Sequence, residues 1–249
     1  MIRRWLVGGA VLVAGAAALG LNPPALDAVA PNPETQRALA AVAAASSEEG
    51  LNGPLIVLKA TGGEDFRDLV PQLLYFSMRA TDVRDGMAAA VVVDRLGITP
   101  QQQLRAAAPY LNTRDAALQR ELRNLFGSID GASASRAADF TPFAPLLRER
   151  VDDPPVVLIA YMMDTAPDQA LAMLAATYIR DPDARRAVLS GPRTAADLEH
   201  LAEHDAWWVR LYVAERVAQD PRLQTPALMQ RLRDDSHPSV RAAASRPVS

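Results

Sequence analysis

From Glu64 onward, the apolar residues recur with the period of an α-helix. The first run has apolar positions at i, i+3, i+4, i+7 and i+8, and these are Phe66, Leu69, Val70, Leu73 and Leu74. This spacing places five side chains on one helix face, which can pack against a neighbouring helix. The hydrophobic content of 49% is carried mainly by Ala, Leu and Val, and aromatic residues make up 5%. Packed helices are typical of such a composition, so the chain is predicted to be all-α.

Most of the helical stretch also follows a recurring two-helix pattern. A proline precedes an apolar pair in four segments, at Pro71, Pro109, Pro145 and Pro226. A polar turn with Asp or Asn follows shortly after each one, and such side chains favour a helix start because they accept hydrogen bonds from its free amides. A second helix is then predicted, opened by an apolar residue that is usually followed by arginine. Its markers are Val83, Leu118, Val156, Ala184, Val209 and Val240, which lie 25 to 38 residues apart. An irregular period in this range is typical of a solenoid of two-helix repeats.

The proline-kinked first helix, the Asp-containing turn and the Val-Arg opening resemble HEAT repeats. The match is best over residues 193–249 and moderate over 64–164. This resemblance implies an α-solenoid in which Asp and Arg residues hold neighbouring repeats together. The residues to which it assigns that structural role are Asp205, Arg210, Asp235 and Arg241. It implies a binding scaffold and no particular activity, because the family is defined by its architecture.

Two segments depart from the repeat pattern. Residues 127–139 form a Gly/Ser/Ala-rich insertion, predicted to be a loop at which the array is bent or split into two blocks. Residues 52–60 contain the apolar run Leu55-Ile56-Val57-Leu58, which fits either a helix or a short strand.

The N-terminus has the features of an export segment. Arg3 and Arg4 precede seventeen uncharged residues, 5–21, which as a helix measure about 26 Å against a hydrocarbon core of ~30 Å. Small residues before Ala16 and Ala18 fit signal peptidase, so residues 1–21 are either a cleaved signal peptide or a membrane anchor. Residues 22–35 are predicted to be an extended Pro-rich linker, and 36–249 the helical-repeat domain. The domain is therefore expected outside the cytoplasm, periplasmic or secreted, or anchored at the inner membrane.

Charge and cysteine content narrow the functional classes. The formal net charge is −3, which provides no excess of positive charge for a phosphate backbone and argues against nucleic acid as the main partner. The absence of cysteine excludes disulfides, thiolate metal sites and cysteine nucleophiles.

One pentapeptide carries a catalytic pattern. His200, Glu203 and His204 fit H-x-x-E-H, in which two histidines one helical turn apart bind zinc and the glutamate is a general base. A third ligand on a supporting element is not evident, and histidines near a helix C-terminus are favoured by the helix dipole without any metal. The structural interpretation is therefore preferred: no catalytic residue, metal or cofactor is assigned, and a zinc-dependent hydrolase is kept as the alternative.

Trp207 and Trp208 are the candidate partner-binding residues. Adjacent helical side chains point about 100° apart, so one ring is expected to pack between repeats while the other reaches the surface. An exposed tryptophan is a common binding hot spot. The sequence as a whole indicates an exported scaffold whose partner is another protein, and membrane contact is expected only through residues 5–21 if they are not cleaved.

Overall fold

The computed structural model describes residues 29–130, 137–191 and 193–246, and every regular element within these ranges is helical. The α-helices are α1 (Pro33–Ala44), α2 (Glu48–Thr61), α3 (Leu69–Met78), α4 (Val83–Leu96), α5 (Pro100–Ala107), α6 (Ala116–Asp130), α7 (Ala144–Glu149), α8 (Val156–Thr165), α9 (Pro167–Tyr178), α10 (Pro182–Leu189), α11 (Ala195–Leu201), α12 (Trp207–Gln219), α13 (Pro226–Arg233) and α14 (Pro238–Ala244). Short 3₁₀ helices lie at Glu64–Phe66, Ala108–Tyr110, Thr141–Phe143 and Pro221–Leu223. The all-α prediction is confirmed for this part of the chain.

The strand alternative for residues 52–60 is wrong, because this segment lies within α2. Leu58 is fully buried, Leu55 packs against the same core, and Ile56 is 70% exposed. A buried face repeating every three to four residues is that of a helix, whereas a strand would alternate its faces.

The loop predicted at 127–139 begins later than expected. Helix α6 continues through Gly127 to Asp130, and Phe126 and Ile129 contact the main core. The Asp130 carboxylate is buried and accepts a hydrogen bond from the Tyr161 hydroxyl. This core packing and the buried hydrogen bond extend the helix despite its glycine. The central part of the predicted loop, 131–136, lies outside the described residues.

The end of the predicted 22–35 linker belongs to the folded domain. Helix α1 starts at Pro33, and the side chain of Asn32 caps it by accepting from the Glu34 and Thr35 amides. The Gln72 amide on α3 donates to the Ala30 carbonyl and accepts from the Asn32 backbone N–H, both at 2.8 Å. These hydrogen bonds fix the backbone on both sides of Pro31, which has no N–H of its own to donate.

The predicted signal or anchor at 1–21 lies outside the described residues. Within the described ranges, no helix combines the length and the apolar character needed to cross a membrane.

The recurring prolines start helices and do not kink them. Pro226 is the first residue of α13, Pro145 the second of α7 and Pro71 the third of α3, while Pro109 lies in a 3₁₀ turn. The missing proline N–H costs nothing in a first turn, where that group has no intrahelical acceptor.

Five helices form a continuous row in which α3 packs on α6, α6 on α8, α8 on α12 and α12 on α14. Further helices pack against members of this row. Helix α9 packs against α7, α8 and α12, α11 packs against α12, and α13 packs against α14. Helices α1, α2 and α4 form a group that joins the row through α3. This arrangement places four of the six predicted second helices side by side.

Two predicted second helices lie outside the row. Helix α10, marked by Ala184, packs mainly on α9, and α4, marked by Val83, packs on α1 to α3. Val83 is 77% exposed, whereas Val209 and Val240 are fully buried. Helix α4 buries Ala88 and Val92 instead, so the Val-Arg marker locates the helix start but not its buried face.

Candidate functional site

Arg210 links the turns that precede α12 and α14. Its guanidinium forms a bidentate ion pair with Asp235, from Nε to Oδ2 at 2.6 Å and from Nη2 to Oδ1 at 3.0 Å. Its Nη1 donates to the carbonyls of His204 and Asp205, each at 2.8 Å. The side chains of Arg210 and Asp235 are only 14% and 5% exposed. We call this arrangement, Arg210 with Asp235 and the two carbonyls, the clasp.

Part of the clasp recurs 31 residues later. Arg241 donates to the carbonyls of Asp235 and Ser236, as Arg210 does to those of His204 and Asp205. The arginine therefore binds the carbonyls five and six positions before it in both turns. Two successive turns share one geometry.

Asp205 contributes its backbone carbonyl to the clasp, where it accepts from Arg210. The N-cap of α12 is Ala206, whose methyl side chain cannot accept a hydrogen bond, and the amide of Ala206 instead donates to His204 Nδ1 at 3.0 Å. In the next turn Asp235 occupies the place of His204 and accepts from the His237 amide at 2.7 Å. Position 204 thus carries a histidine that accepts the hydrogen bond which Asp235 accepts in the next turn.

The pKa of Asp235 reflects this setting. Burial alone raises the pKa of the carboxyl, but hydrogen bonds from Arg210 and from the His237 amide outweigh burial and lower it below its ordinary value. Asp235 therefore stays ionised and keeps the clasp charged.

The two tryptophans differ as expected for adjacent helical positions. Trp208 is 4% exposed and packs near Tyr178 and His204, with ring centroids 6.1 and 6.5 Å away. Its proposed role as a partner contact is therefore replaced by one in the core. Trp207 is half-buried and stacks on His237, with centroids 4.0 Å apart and planes 9° apart. His237 thus covers one face of the Trp207 ring, and the residue also packs against the main core, so only part of it remains accessible.

The H-x-x-E-H residues do not form a zinc site. Helix α11 ends at Leu201, so His200 and His204 do not lie one turn apart on one helix. His204 Nδ1 already accepts the Ala206 amide, and Glu203 pairs with Arg231 at 2.5 Å. Burial is the main cause of a lowered His204 pKa, and a neutral ring accepts that amide. Within the described residues, no three His, Cys, Asp or Glu side chains are grouped as a metal would require.

A groove of about 340 Å³ runs across the row at α6, α8, α12 and α14. Apolar side chains from three of these helices line it: Val156, Val157, Ala160, Leu211, Ala242 and Ala243. The polar lining consists of Gln119, Arg123, Glu215, Ser239 and Arg246. Trp207 does not line the groove itself, but it lies on the same face of α12 as the lining residues Leu211 and Glu215, at four-residue spacing.

Four charged residues connect the helices around this groove. Arg246, two residues beyond α14, pairs with Glu215 on α12 and with Asp164 on α8, the latter at 2.5 Å. Arg123 on α6 pairs with the other oxygen of Asp164 at 3.3 Å. We call Arg123, Asp164, Arg246 and Glu215 the ion chain. It joins α6, α8 and α12 to the residues that follow α14, and through Arg246 it connects the end of α14 directly with α8.

Glu215 is the most buried member, with its side chain 4% exposed. Burial raises the pKa of its carboxyl, the nearby Asp164 raises it further, and Arg246 offsets only part of this rise. The other three side chains remain 40 to 43% exposed and form a charged rim. The site thus offers an apolar floor beside charges of both signs.

The ion chain was not predicted from the sequence. Arg246 lies 31 residues from Glu215 and 82 from Asp164, so no local spacing relates them. One signal was present: Glu215 interrupts an otherwise apolar face of α12. A charge at such a position requires a partner, although the sequence does not identify which one.

Comparisons of the chain with protein-family models, with characterised proteins and with solved structures give no match.

Proposed function

We propose that this protein is an exported scaffold built from stacked, HEAT-like helical pairs and that it binds another protein in the groove. The observation that carries the proposal is the groove itself, where an apolar floor and a two-signed charged rim meet on four neighbouring helices. A stacked array of helices presents extended surfaces of this kind for partner binding.

Three features support the stacked-pair architecture. The row places four predicted second helices next to each other. Helices α12 and α14 run in the same direction, because Trp207 meets His237 at their starts and Glu215 meets Arg246 at their ends. The arginine-to-carbonyl contacts of the clasp repeat after 31 residues. Parallel neighbours with a repeated turn are what translation of one structural unit produces.

Export rests on the N-terminal sequence. Arg3 and Arg4, the uncharged run 5–21 and the prolines after it are laid out as a signal or anchor followed by a spacer. Seven residues, 22–28, separate this run from Val29, where the described residues begin.

The groove defines the chemistry of the partner. Its floor accepts apolar side chains, and Gln119 and Ser239 offer hydrogen bonds to a polar backbone. The accessible part of Trp207 lies on the same face of α12 as the groove lining, while Arg246 and Asp164 can each pair with a partner charge. A protein segment with an apolar centre and a charged flank fits this surface.

Site-specific photo-crosslinking in the native host tests this proposal. A photoreactive amino acid at Ser239, on the groove wall, should crosslink to one discrete protein. The same amino acid at Arg233, exposed on α13, should give no such product. Ala242→Trp fills the groove and should abolish the crosslink, whereas Gln219→Trp, exposed at the end of the same helix row, should leave it unchanged.

Circular dichroism on both tryptophan variants checks that the fold is retained. A crosslink that appears equally from Arg233, or one that survives Ala242→Trp in a folded protein, would exclude the groove as the binding surface.

A further inference from the structure

Glu215 has one carboxylate oxygen without a hydrogen-bond partner. Its Oε1 accepts from Arg246, while no group in the described residues donates to its Oε2. In the same part of the chain, the one side-chain polar atom that is sealed from solvent without a partner is Arg216 Nε. Oε2 of Glu215 is therefore not sealed, and because Glu215 lines the groove, this oxygen opens into it.

The other charges around the groove already satisfy one another. Both oxygens of Asp164 accept, one from Arg123 and one from Arg246. Together with Glu215 they give the ion chain two positive and two negative charges, so its formal charge is zero. The two arginines are 40% and 43% exposed, so water can solvate their remaining N–H groups. Glu215 is only 4% exposed, and its free oxygen has little access to water.

The Glu215 oxygen gains more from a new partner than the rim arginines do. A buried charged group that is short of a partner carries a large desolvation cost, whereas exposed ion pairs contribute little to stability. Burial also raises the pKa of Glu215, and Arg246 offsets only part of this rise, so a second cation would stabilise the ionised carboxylate. The charge that the groove lacks is therefore positive.

The floor of the groove determines how such a cation is carried. Leu211 lies one turn before Glu215 on the same face of α12, and three further lining residues, Ala160, Ala242 and Ala243, are small. At about 340 Å³ the groove is at the small end of the range for ligand sites, which suits a single extended side chain. Lysine and arginine bury an aliphatic stem along apolar surface and keep their charged head at a polar group.

We infer that the groove binds a basic side chain of the partner, with its aliphatic stem on the apolar floor and its cationic head against Oε2 of Glu215. This inference rests on the proposed function and specifies the charge of the partner segment. A bare cation has no stem to cover the floor. An acidic side chain would bring a second carboxylate beside Glu215, and two like charges disfavour each other in a poorly hydrated site.

Three five-carbon probes that differ only in their head group test this charge preference: pentylammonium, pentan-1-ol and pentanoate. Binding to the full-length chain is followed by NMR through the isotope-labelled methyl groups of Ala242 and Ala243, which line the groove. Pentylammonium should shift these signals saturably and bind roughly tenfold more tightly than pentan-1-ol, because a charge-assisted hydrogen bond is about twice as strong as a neutral one. Pentanoate should bind more weakly than the alcohol.

Glu215→Gln removes the charge but keeps an oxygen for Arg246, and it should abolish the preference for pentylammonium over pentan-1-ol. Glu203→Gln is the matched control, because Glu203 also pairs with an arginine but is not among the residues that line the groove. This variant should keep the preference. In the crosslinking assay at Ser239, Glu215→Gln should reduce the product roughly tenfold, and Glu203→Gln should leave it unchanged.

Four outcomes would overturn the inference: equal affinity for pentylammonium and pentan-1-ol, tighter binding of pentanoate, no response of the alanine methyl groups to any probe, or an unchanged preference in folded Glu215→Gln. A Ser239 crosslink that persists in full in Glu215→Gln overturns it as well, and the proposed function then stands without it. If the unsubstituted chain gives no crosslink while the preference for pentylammonium holds, the protein partner is excluded and the cation site at Glu215 is supported.

Discussion

Arg210→Ala removes the centre of the clasp and should strongly destabilise the C-terminal helices. The substitution leaves the Asp235 carboxylate buried, with the His237 amide as a remaining donor, and it frees the carbonyls of His204 and Asp205. Breaking a buried ion pair from one side typically costs 3–5 kcal/mol. Because the Arg210 side chain is still 14% exposed, we expect the lower end, about 3 kcal/mol.

Urea and thermal unfolding followed by circular dichroism at 222 nm measure this change. In a domain of this size, 1 kcal/mol shifts Tm by roughly 2–4 °C, so Arg210→Ala should lower Tm by roughly 6–12 °C. Asp205→Ala is the matched control from the same turn, because its backbone carbonyl, which the substitution keeps, is the group that accepts from Arg210. Arg222→Ala breaks a pair with Asp220 in which the arginine is 90% exposed, and it should leave the unfolding midpoint nearly unchanged.

A double-mutant cycle with Asp235→Ala isolates the pair itself. The coupling energy between positions 210 and 235 should be at least about 2 kcal/mol, since both side chains lose their charged partner. If Arg210→Ala is no more destabilising than Arg222→Ala, or if the cycle gives no coupling, the clasp does not stabilise the fold. If Asp205→Ala is as destabilising as Arg210→Ala, the Asp205 side chain stabilises this turn through a contact other than the carbonyl hydrogen bond.

Two further predictions concern other turns. Asn112 caps α8 from 44 residues away, accepting from the Val156 amide at 2.8 Å, so Asn112→Ala should cost about 1–2 kcal/mol in urea unfolding; an unchanged midpoint would refute this cap. Burial lowers the pKa of His237 to about 4, so the unfolded chain binds more protons between pH 6.5 and 4. The free energy of unfolding should therefore decrease by about 1–2 kcal/mol, for a half-exposed ring, as the pH is lowered from 6.5 to 4. The variant His237→Gln should show a flatter dependence of stability on pH.

The helices were predictable because their signal is local. Apolar spacing in the run from Leu69 to Leu74 and the Val83 marker at the start of α4 depend on neighbours within one or two turns. The Arg210 and Asp235 positions came from the resemblance to HEAT repeats, and the structure places the two side chains in contact. Local patterns thus located most helix starts within a few residues.

Burial and long-range partners were not predictable in this way. The Val83 marker has the same sequence form as Val209, yet one is exposed and the other buried, because the packing of distant helices decides which face is covered. Asp205 reaches Arg210 through its backbone carbonyl, a contact that the side-chain type does not predict. Arg246 donates to Glu215 and Asp164, which lie 31 and 82 residues away in sequence, and no helical period relates positions so far apart.

The ion chain is more consistent with a binding surface than with a device for stability. Replacing a buried ion pair by well-packed apolar residues is often neutral or stabilising, so an apolar side chain at Glu215 would serve the fold at least as well. The sequence instead places a carboxylate of raised pKa on the groove wall and balances it with an arginine that also holds Asp164. Because three of the four charges remain partly exposed at the rim, a partner can exchange its own charges for these pairs without uncovering the core. Specificity of this kind comes from matched charges around an apolar contact, which is the arrangement that the groove presents.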